Sequence, residues 1–183
     1  RGLGDVYKRQ ELLRVATILF AAFEETTKGR CSEHFRAGRV LALVLHGSHA
    51  GTDWGAVAPG EAFRLLAIVN YTRLARSERD WRLVRDRLGR AWEFGEITHP
   101  VRLTVESLER FNGALADGVP HFVSIAAQGI ALYQSEGLRL QPPRSMSGPD
   151  RCALGLKEYA HWHTRASDFL TGAAFYERQD NAP

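Results

Sequence analysis

The sequence predicts an α/β fold, in which a small mixed sheet carries packed helices. Two short apolar runs, expected as strands over 38–46 and 62–70, are bounded by glycine or turn residues and are rich in Val, Leu and Ile. A third strand is expected over 100–106, where apolar and polar side chains alternate. Apolar residues spaced three and four apart predict an amphipathic helix over 11–28, which Gly29 ends and which would cover the sheet.

The remaining elements follow from local signals along the chain. Ser77 is predicted to cap a helix that ends at Gly89, because the acidic residues in its first turn suit the helix dipole. Ser107 is predicted to open a short helix, which another helix over 122–128 and a short last strand over 130–133 follow.

Composition predicts the domain boundaries. The chain has 183 residues, enough for one domain and part of a second. Residues 1–10 are interpreted as a non-native leader, since the chain has no initiator Met. Residues 11–140 form the α/β domain, and 141–149 are a linker rich in Pro and Ser. Residues 150–183 carry a helical apolar stripe with little to pack against, and are interpreted as the start of an incomplete helical domain.

Composition also predicts the cellular compartment and excludes some classes of partner. Apolar residues make up 44% of the chain, yet no apolar run approaches the length of a membrane span, so no membrane partner is expected. Two cysteines are too few for a disulfide framework and predict a cytoplasmic protein. The net charge is +3, and basic and acidic side chains are interleaved, for example over 76–80. This pattern predicts a solvated helix face rather than a nucleic-acid-binding surface.

The Gly47-Ser48 turn is the strongest candidate for a binding site. Glycine has no Cβ, so the backbone can approach a phosphate closely, and the Ser48 hydroxyl and neighbouring amides can donate hydrogen bonds to its oxygens. His49 follows the turn and is a third candidate for phosphate contact, while His46 precedes it. An ordinary strand-to-loop turn with locally packed histidines is the alternative.

The segments around this turn resemble the minimal nucleotidyltransferase family, in which a strand runs into Gly-Ser and the next strand carries Asp-x-Asp. The likeness lies in 39–50 and 63–70 and continues at 100–105 and 122–133, which look like parts of nucleotidyltransferases fused to a HEPN domain. Residues 160–173 resemble the first HEPN helix. The resemblance implies a nucleotidyltransferase-like fold, ATP with Mg²⁺ as cofactor, a HEPN domain in the same chain as partner, and a toxin–antitoxin-like module.

The positions at which that family holds Mg²⁺ carry other residues here. Two-metal chemistry needs closely spaced acids on one strand face, and the aligned positions are Ala62 and Arg64. An inactive domain is therefore expected, with no catalytic or metal-binding residue assigned. Glu61 is one residue out of register, so its side chain is expected on the opposite side of the strand. Asp53 in the loop and Glu106 on the third strand are the other acids that could rescue metal binding.

Three functions are consistent with these patterns. The leading hypothesis is a degenerate nucleotidyltransferase-like domain that binds nucleotide or docks a HEPN domain. The first alternative is an active Mg²⁺-dependent enzyme that moves a nucleotide monophosphate from ATP to an acceptor hydroxyl. The second is a protein-interaction module without nucleotide. Association with further copies of the chain is left open in each case.

Overall fold

A four-stranded mixed sheet organises the first part of the chain, within the residues that the structure describes, which are 3–51, 57–58 and 60–178. In this computed structural model the strands are β1 (Val40–His46), β2 (Phe63–Val69), β3 (Val101–Ser107) and β4 (Ile130–Gln134). Their order across the sheet is β3-β2-β1-β4. β1 pairs antiparallel with β2 and with β4, whereas β2 and β3 are parallel. The predicted α/β class with a small mixed sheet is confirmed.

Helices connect the strands and cover both faces of the sheet. They are α1 (Leu3–Thr27), α2 (Glu33–Arg36), α3 (Thr72–Arg76), α4 (Glu78–Glu93), α5 (Leu108–Ala116) and α6 (Pro120–Gln128). The helix predicted at Ser107 is confirmed, since the Ser107 hydroxyl oxygen accepts a hydrogen bond of 3.2 Å from the Arg110 amide. This is a side-chain N-cap of α5.

Each face of the sheet carries its own apolar core. On one face α1 and α4 bury side chains such as Leu19 and Trp81 against β1 and β2. On the other face Phe111 of α5 and Ile125 of α6 pack on the sheet. Successive side chains of a strand alternate between faces, so Arg64 lies on the face of α5 and α6, where its side chain is 50% exposed. The sheet thus presents a basic side chain beside the smaller core.

Several predicted boundaries are wrong. α1 begins at Leu3, so the helix expected from residue 11 extends back through residues 3–10. α4 runs through Gly89 to Glu93, because burial of Leu88 and Ala91 compensates for the cost of about 1 kcal/mol that glycine brings to a helix. Ser77 is at the N-cap of α4, but within the described part of the chain its side chain makes no capping hydrogen bond. The short helices α2 and α3 were not predicted.

The chain divides into two compact units, residues 1–144 and 145–183. The second carries α7 (Gly148–Arg178), so the apolar stripe predicted from residue 150 does lie on a helix. Ser147 caps it, donating a hydrogen bond of 2.7 Å to the Asp150 carboxylate and accepting one of 3.3 Å from the Asp150 amide. Throughout 3–51, 57–58 and 60–178, no helix combines the length and apolar character needed to cross a membrane.

Candidate functional site

The Gly47-Ser48 turn follows directly on β1 and begins a short 3-10 turn over Gly47–Ala50. Gly47 has a φ of +77°, in the left-handed region that L side chains rarely adopt. A Cβ added to Gly47 would lie 3.1 Å from Cδ of Arg64. Glycine is therefore favoured here both by the backbone angle and by the close approach of the Arg64 side chain.

A row of basic residues crosses the sheet next to this turn. His46 on β1 lies directly opposite Arg64 on β2, and Arg64 lies opposite Arg102 on β3. Residues directly opposite each other in neighbouring strands point to the same face. The pairing register therefore gathers three basic side chains on the face of α5 and α6.

A cavity of about 570 Å³ opens beside the turn. It is lined by His46, Gly47, Ser48, Ala50, Gly51, Arg64, His121, Ser124, Ile125, Gln128 and Gly129. The imidazole rings of His46 and His121 meet edge to face, with centroids 5.8 Å apart. Burial lowers the pKa of His46, and the nearby His121 and Arg64 lower it further. Arg64 keeps its positive charge at neutral pH and gives the cavity a group well suited to an anion.

The cavity residues on α6 were missed by sequence reasoning. His121, Ser124 and Gln128 are spaced three and four residues apart, so they lie along one side of the helix. Ile125, next to this row, is buried in the smaller core and holds α6 against the sheet. A polar row beside a buried apolar position was the signal that could have identified them.

Glu61 is at the centre of the polar contacts of the turn. The Ser48 hydroxyl donates a hydrogen bond of 2.5 Å to Oε1 of Glu61, and Nη2 of Arg64 lies 3.8 Å from the same oxygen. The expectation that Glu61 points to the opposite side of the strand is wrong. Because β2 begins at Phe63, Glu61 precedes the strand, and the alternation of strand side chains does not apply to it.

His49 is buried behind the turn, only 1% exposed. Its Nε2 lies 3.0 Å from the backbone oxygen of Glu61, and its ring packs against Phe63 and His99 with centroids 4.7 and 5.4 Å away. Within the described residues Nδ1 has no hydrogen-bond partner. Burial lowers the pKa of His49, although the bond to Glu61 acts in the opposite direction. The imidazole thus anchors the Glu61 backbone, and a phosphate contact from His49 stays a prediction.

A carboxylate on α1 holds the loop that packs against His49. Oε1 of Glu11 accepts hydrogen bonds from the backbone amides of Thr98 and His99, at 2.6 and 2.8 Å. Oε2 lies 2.9 Å from both the Thr98 hydroxyl and Nδ1 of His99. Burial acts to raise the pKa of Glu11, but the hydrogen bonds from His99 and Thr98 outweigh it, and the pKa is lowered.

The two positions that align with the metal ligands of the resembled family carry no metal-binding side chain. Ala62 offers no ligand atom and Arg64 brings a cation. Glu106 lies opposite Ile68, five residues along β2 from Phe63, which corresponds to about 16 Å at the rise of a strand. Glu61 precedes Phe63, so Glu61 and Glu106 lie near opposite ends of the strands and too far apart to share a metal ion.

The remaining acids do not change this result. Glu106 is 3.1 Å from Nε of Arg110, and burial raises its pKa while Arg110 and His121 counteract that rise. Asp53 lies outside the described residues. Among those that are described, no group of three or more His, Cys, Asp or Glu side chains is arranged to hold a metal ion. The residues present at the turn therefore do not fit a two-metal centre.

Comparison with protein-family models, with curated proteins and with solved structures finds no match to this chain.

Proposed function

We propose that residues 11–140 are a degenerate nucleotidyltransferase-like domain that binds the phosphate groups of a nucleotide and does not transfer a nucleotidyl group. One observation carries the proposal: the left-handed Gly47 turn, the Ser48 hydroxyl and the Arg64 guanidinium all line the same cavity. The resemblance of 39–50 and 63–70 to minimal nucleotidyltransferases supports the same position for the phosphates.

The chemistry of the cavity suits a phosphorylated small molecule. Its volume of about 570 Å³ is in the range of small-molecule sites. Arg64 offers a guanidinium that can bind two phosphate oxygens at once, and Ser48 offers a hydroxyl donor. On α6, Ser124 and Gln128 add polar groups that could contact the sugar or base.

Nucleotidyl transfer is not part of the proposal, because the side chains at the turn do not suit Mg²⁺. In the family to which the segments are similar, two acids hold the metal that binds the triphosphate. Arg64 stands at one of these positions, where it would itself neutralise phosphate charge. We therefore propose that the phosphates bind without a metal ion, because the positive charge of Arg64 takes the place of the charge on the metal.

Isothermal titration of the full chain with ATP tests this proposal. Binding should be of similar strength with EDTA and with Mg²⁺, should weaken as the ionic strength rises, and should disappear for adenosine. Labelled ATP should not be transferred to the protein or to added acceptors. Mg²⁺-dependent transfer abolished by Glu61→Gln or Glu106→Gln would contradict the proposal and favour an active enzyme. Absence of binding under all conditions would favour an interaction module.

A second candidate function, docking of a helical partner, rests on α7. Trp162 and Phe169 are 60% and 72% exposed, as are several other large apolar side chains of this helix. Exposed apolar patches of this kind mark interaction surfaces. The resemblance of 160–173 to the first HEPN helix supports α7 as the start of a HEPN domain in the same chain, whose exposed face packs against further helices in a cytoplasmic toxin–antitoxin-like module. Sedimentation velocity tests this, since self-association that Trp162→Ser reduces would support docking through α7.

A further inference from the structure

The two side chains assigned above to phosphate binding are already engaged with one anionic group. Ser48 donates its hydroxyl hydrogen to Oε1 of Glu61 at 2.5 Å. Nη2 of Arg64 lies 3.8 Å from that same oxygen. One carboxylate oxygen therefore contacts both groups that a phosphate oxygen would use.

This contact is accessible rather than part of a core. The side chains of Glu61 and Arg64 are 25% and 50% exposed. An ion pair with this exposure is worth no more than about 1 kcal/mol. A ligand that brings its own anionic oxygens can therefore reach the pair and exchange with the carboxylate.

The backbone of Glu61 is held separately from its side chain. His49, which is buried, places Nε2 3.0 Å from the Glu61 backbone oxygen. The Glu61 amide also donates a hydrogen bond of 3.1 Å to the backbone oxygen of Ala58. The carboxylate can therefore rotate away from Ser48 about its own side-chain bonds, while the backbone stays in place and returns it when the site empties.

We propose that Glu61 is a built-in competitor for the phosphate site, an internal anion that a ligand must displace from Ser48 and Arg64. The inference rests on the proposed function. Displacement costs the same free energy whichever ligand enters, so every anion loses affinity by a similar factor. Ligands with several contacts, such as nucleoside di- and triphosphates, still bind at cellular concentrations, whereas simple anions do not. Glu61 thus sets the minimum number of contacts that a ligand needs.

Three variants of the full chain test this role. Glu61→Ala removes the competing group, and Glu61→Gln removes its charge but keeps an oxygen that can accept from Ser48. Glu136→Gln removes the same charge from an exposed residue beyond the far end of β4, and is the matched control. Thermal unfolding establishes that each variant is folded.

Isothermal titration with pyrophosphate and with inorganic phosphate measures the effect, in EDTA for the main comparison and again with Mg²⁺ to test for a metal ligand. We expect both anions to bind about fivefold more tightly to Glu61→Ala, and to gain less with Glu61→Gln. Glu136→Gln should bind like the unmodified chain.

Four results would overturn the inference or the proposed function on which it rests. Unchanged or weaker binding by Glu61→Ala, while the unmodified chain binds, would overturn the competitor role and leave the proposed function standing. Equal gains by Glu61→Ala and Glu61→Gln would indicate charge repulsion instead of displacement. Weaker binding by Glu61→Gln only when Mg²⁺ is added would make Glu61 a metal ligand. Absence of binding by the unmodified chain and by all three variants would overturn both proposals together.

Discussion

His46 and Arg64 lie directly opposite each other on the antiparallel strands β1 and β2, on the face of the sheet that borders the cavity. Burial lowers the pKa of His46, and electrostatic repulsion from His121 and Arg64 lowers it further. A neutral imidazole and a permanently charged guanidinium therefore stand side by side at neutral pH. The cavity takes its charge from Arg64, and His46 can gain a proton when an anion enters.

Arg64→Gln should weaken ATP binding by about tenfold, since it removes a charge-assisted pair and leaves a neutral amide. The same change should raise the pKa of His46, because one of the charges that lower it is gone. Isothermal titration measures the first effect, and the chemical shift of the His46 ring as a function of pH measures the second. Arg79→Gln, an exposed residue of α4, is the matched control and should change neither. Full-strength binding by Arg64→Gln would show that the phosphates bind elsewhere.

Gly47→Ala should destabilise the fold by about 1–2 kcal/mol. The substitution forces an L side chain into a φ of +77° and places its Cβ 3.1 Å from Cδ of Arg64. Urea unfolding measures the change in the free energy of unfolding. In an Arg64→Ala background the steric part of the loss should disappear while the part due to the backbone angle stays.

Gly89→Ala is the control for Gly47→Ala, and it is expected to change the free energy of unfolding in the opposite direction. Gly89 lies inside α4, and a Cβ there would meet no atom within 4 Å. Alanine should stabilise the helix by about 0.5–1 kcal/mol. If both alanine variants change stability in the same direction, then the backbone of the turn is not the cause of the loss at Gly47.

Lowering the pH should decrease the free energy of unfolding, and His49 is one cause of this decrease. Its pKa is lowered in the folded protein, so the unfolded chain takes up the proton first as the pH falls. The free energy of unfolding should therefore decrease as the pH falls below about 6.5 and level off below the folded-state pKa. His46 acts with the same sign. Urea unfolding at about pH 7.5 and about pH 5.5 measures the decrease.

His49→Gln should reduce this decrease, because glutamine does not titrate and its amide can still donate to the Glu61 backbone oxygen. His163→Gln on α7 is the matched control, since that histidine is exposed. The same pH dependence in the unmodified chain and in both variants would mean that other groups destabilise the folded state in acid.

Glu11→Ala should cost about 2 kcal/mol of stability, because it leaves the amides of Thr98 and His99 without their charged acceptor. The pKa of Glu11 is lowered, so its contribution is present at neutral pH and is lost as the pH falls through the folded-state pKa. Glu24→Ala, an exposed site on the same helix, should change stability by less than about 0.5 kcal/mol. Urea unfolding of both variants compares the two sites. Equal losses would mean that α1, rather than the loop contact, determines the effect.

The strands could be predicted because each carries its periodicity in its own residues. β2 is buried on both faces apart from Arg64, and β3 alternates, so neighbouring side chains alone indicate the environment. The end of α4 could not be predicted from local end signals, since burial continues past Gly89 to Ala91. Local sequence signals therefore predict the wrong helix end where burial against other elements stabilises the helix beyond a glycine.

The candidate site was predicted only in part. The sequence identifies Gly47 and Ser48 because a strand leads directly into them, and the structure places both at the cavity. Glu61 was assigned to the wrong side because the alternation of strand side chains was applied to a residue that precedes β2. The α6 residues, such as Ser124, come close to the turn only because α6 packs on the sheet. The spacing of these residues along the sequence does not reveal that they lie near the turn.

Introducing two acids at positions 62 and 64 should exchange one binding mode for another. Ala62→Asp with Arg64→Asp removes the Arg64 cation from the cavity and supplies the two carboxylates that the proposed nucleotidyltransferase-like relationship would require for Mg²⁺. We expect ATP binding in EDTA to be lost, because carboxylates repel the phosphates once Arg64 is gone. Binding should return only with Mg²⁺, because a coordinated metal contributes several kcal/mol to holding the triphosphate oxygens.

Arg64→Gln separates these two effects, since it removes the cation and adds no ligand. It should bind ATP weakly with or without Mg²⁺, whereas the double variant should respond to the metal by at least about tenfold in isothermal titration. Adding Glu61→Gln to the double variant then asks whether the carboxylate beside Ser48 joins the new site, in which case the response to Mg²⁺ should shrink. A double variant that binds ATP equally well in EDTA and in Mg²⁺ would contradict the prediction. It would mean that positions 62 and 64 do not face the phosphates, and that the cavity binds its ligand through α6 and the turn backbone alone.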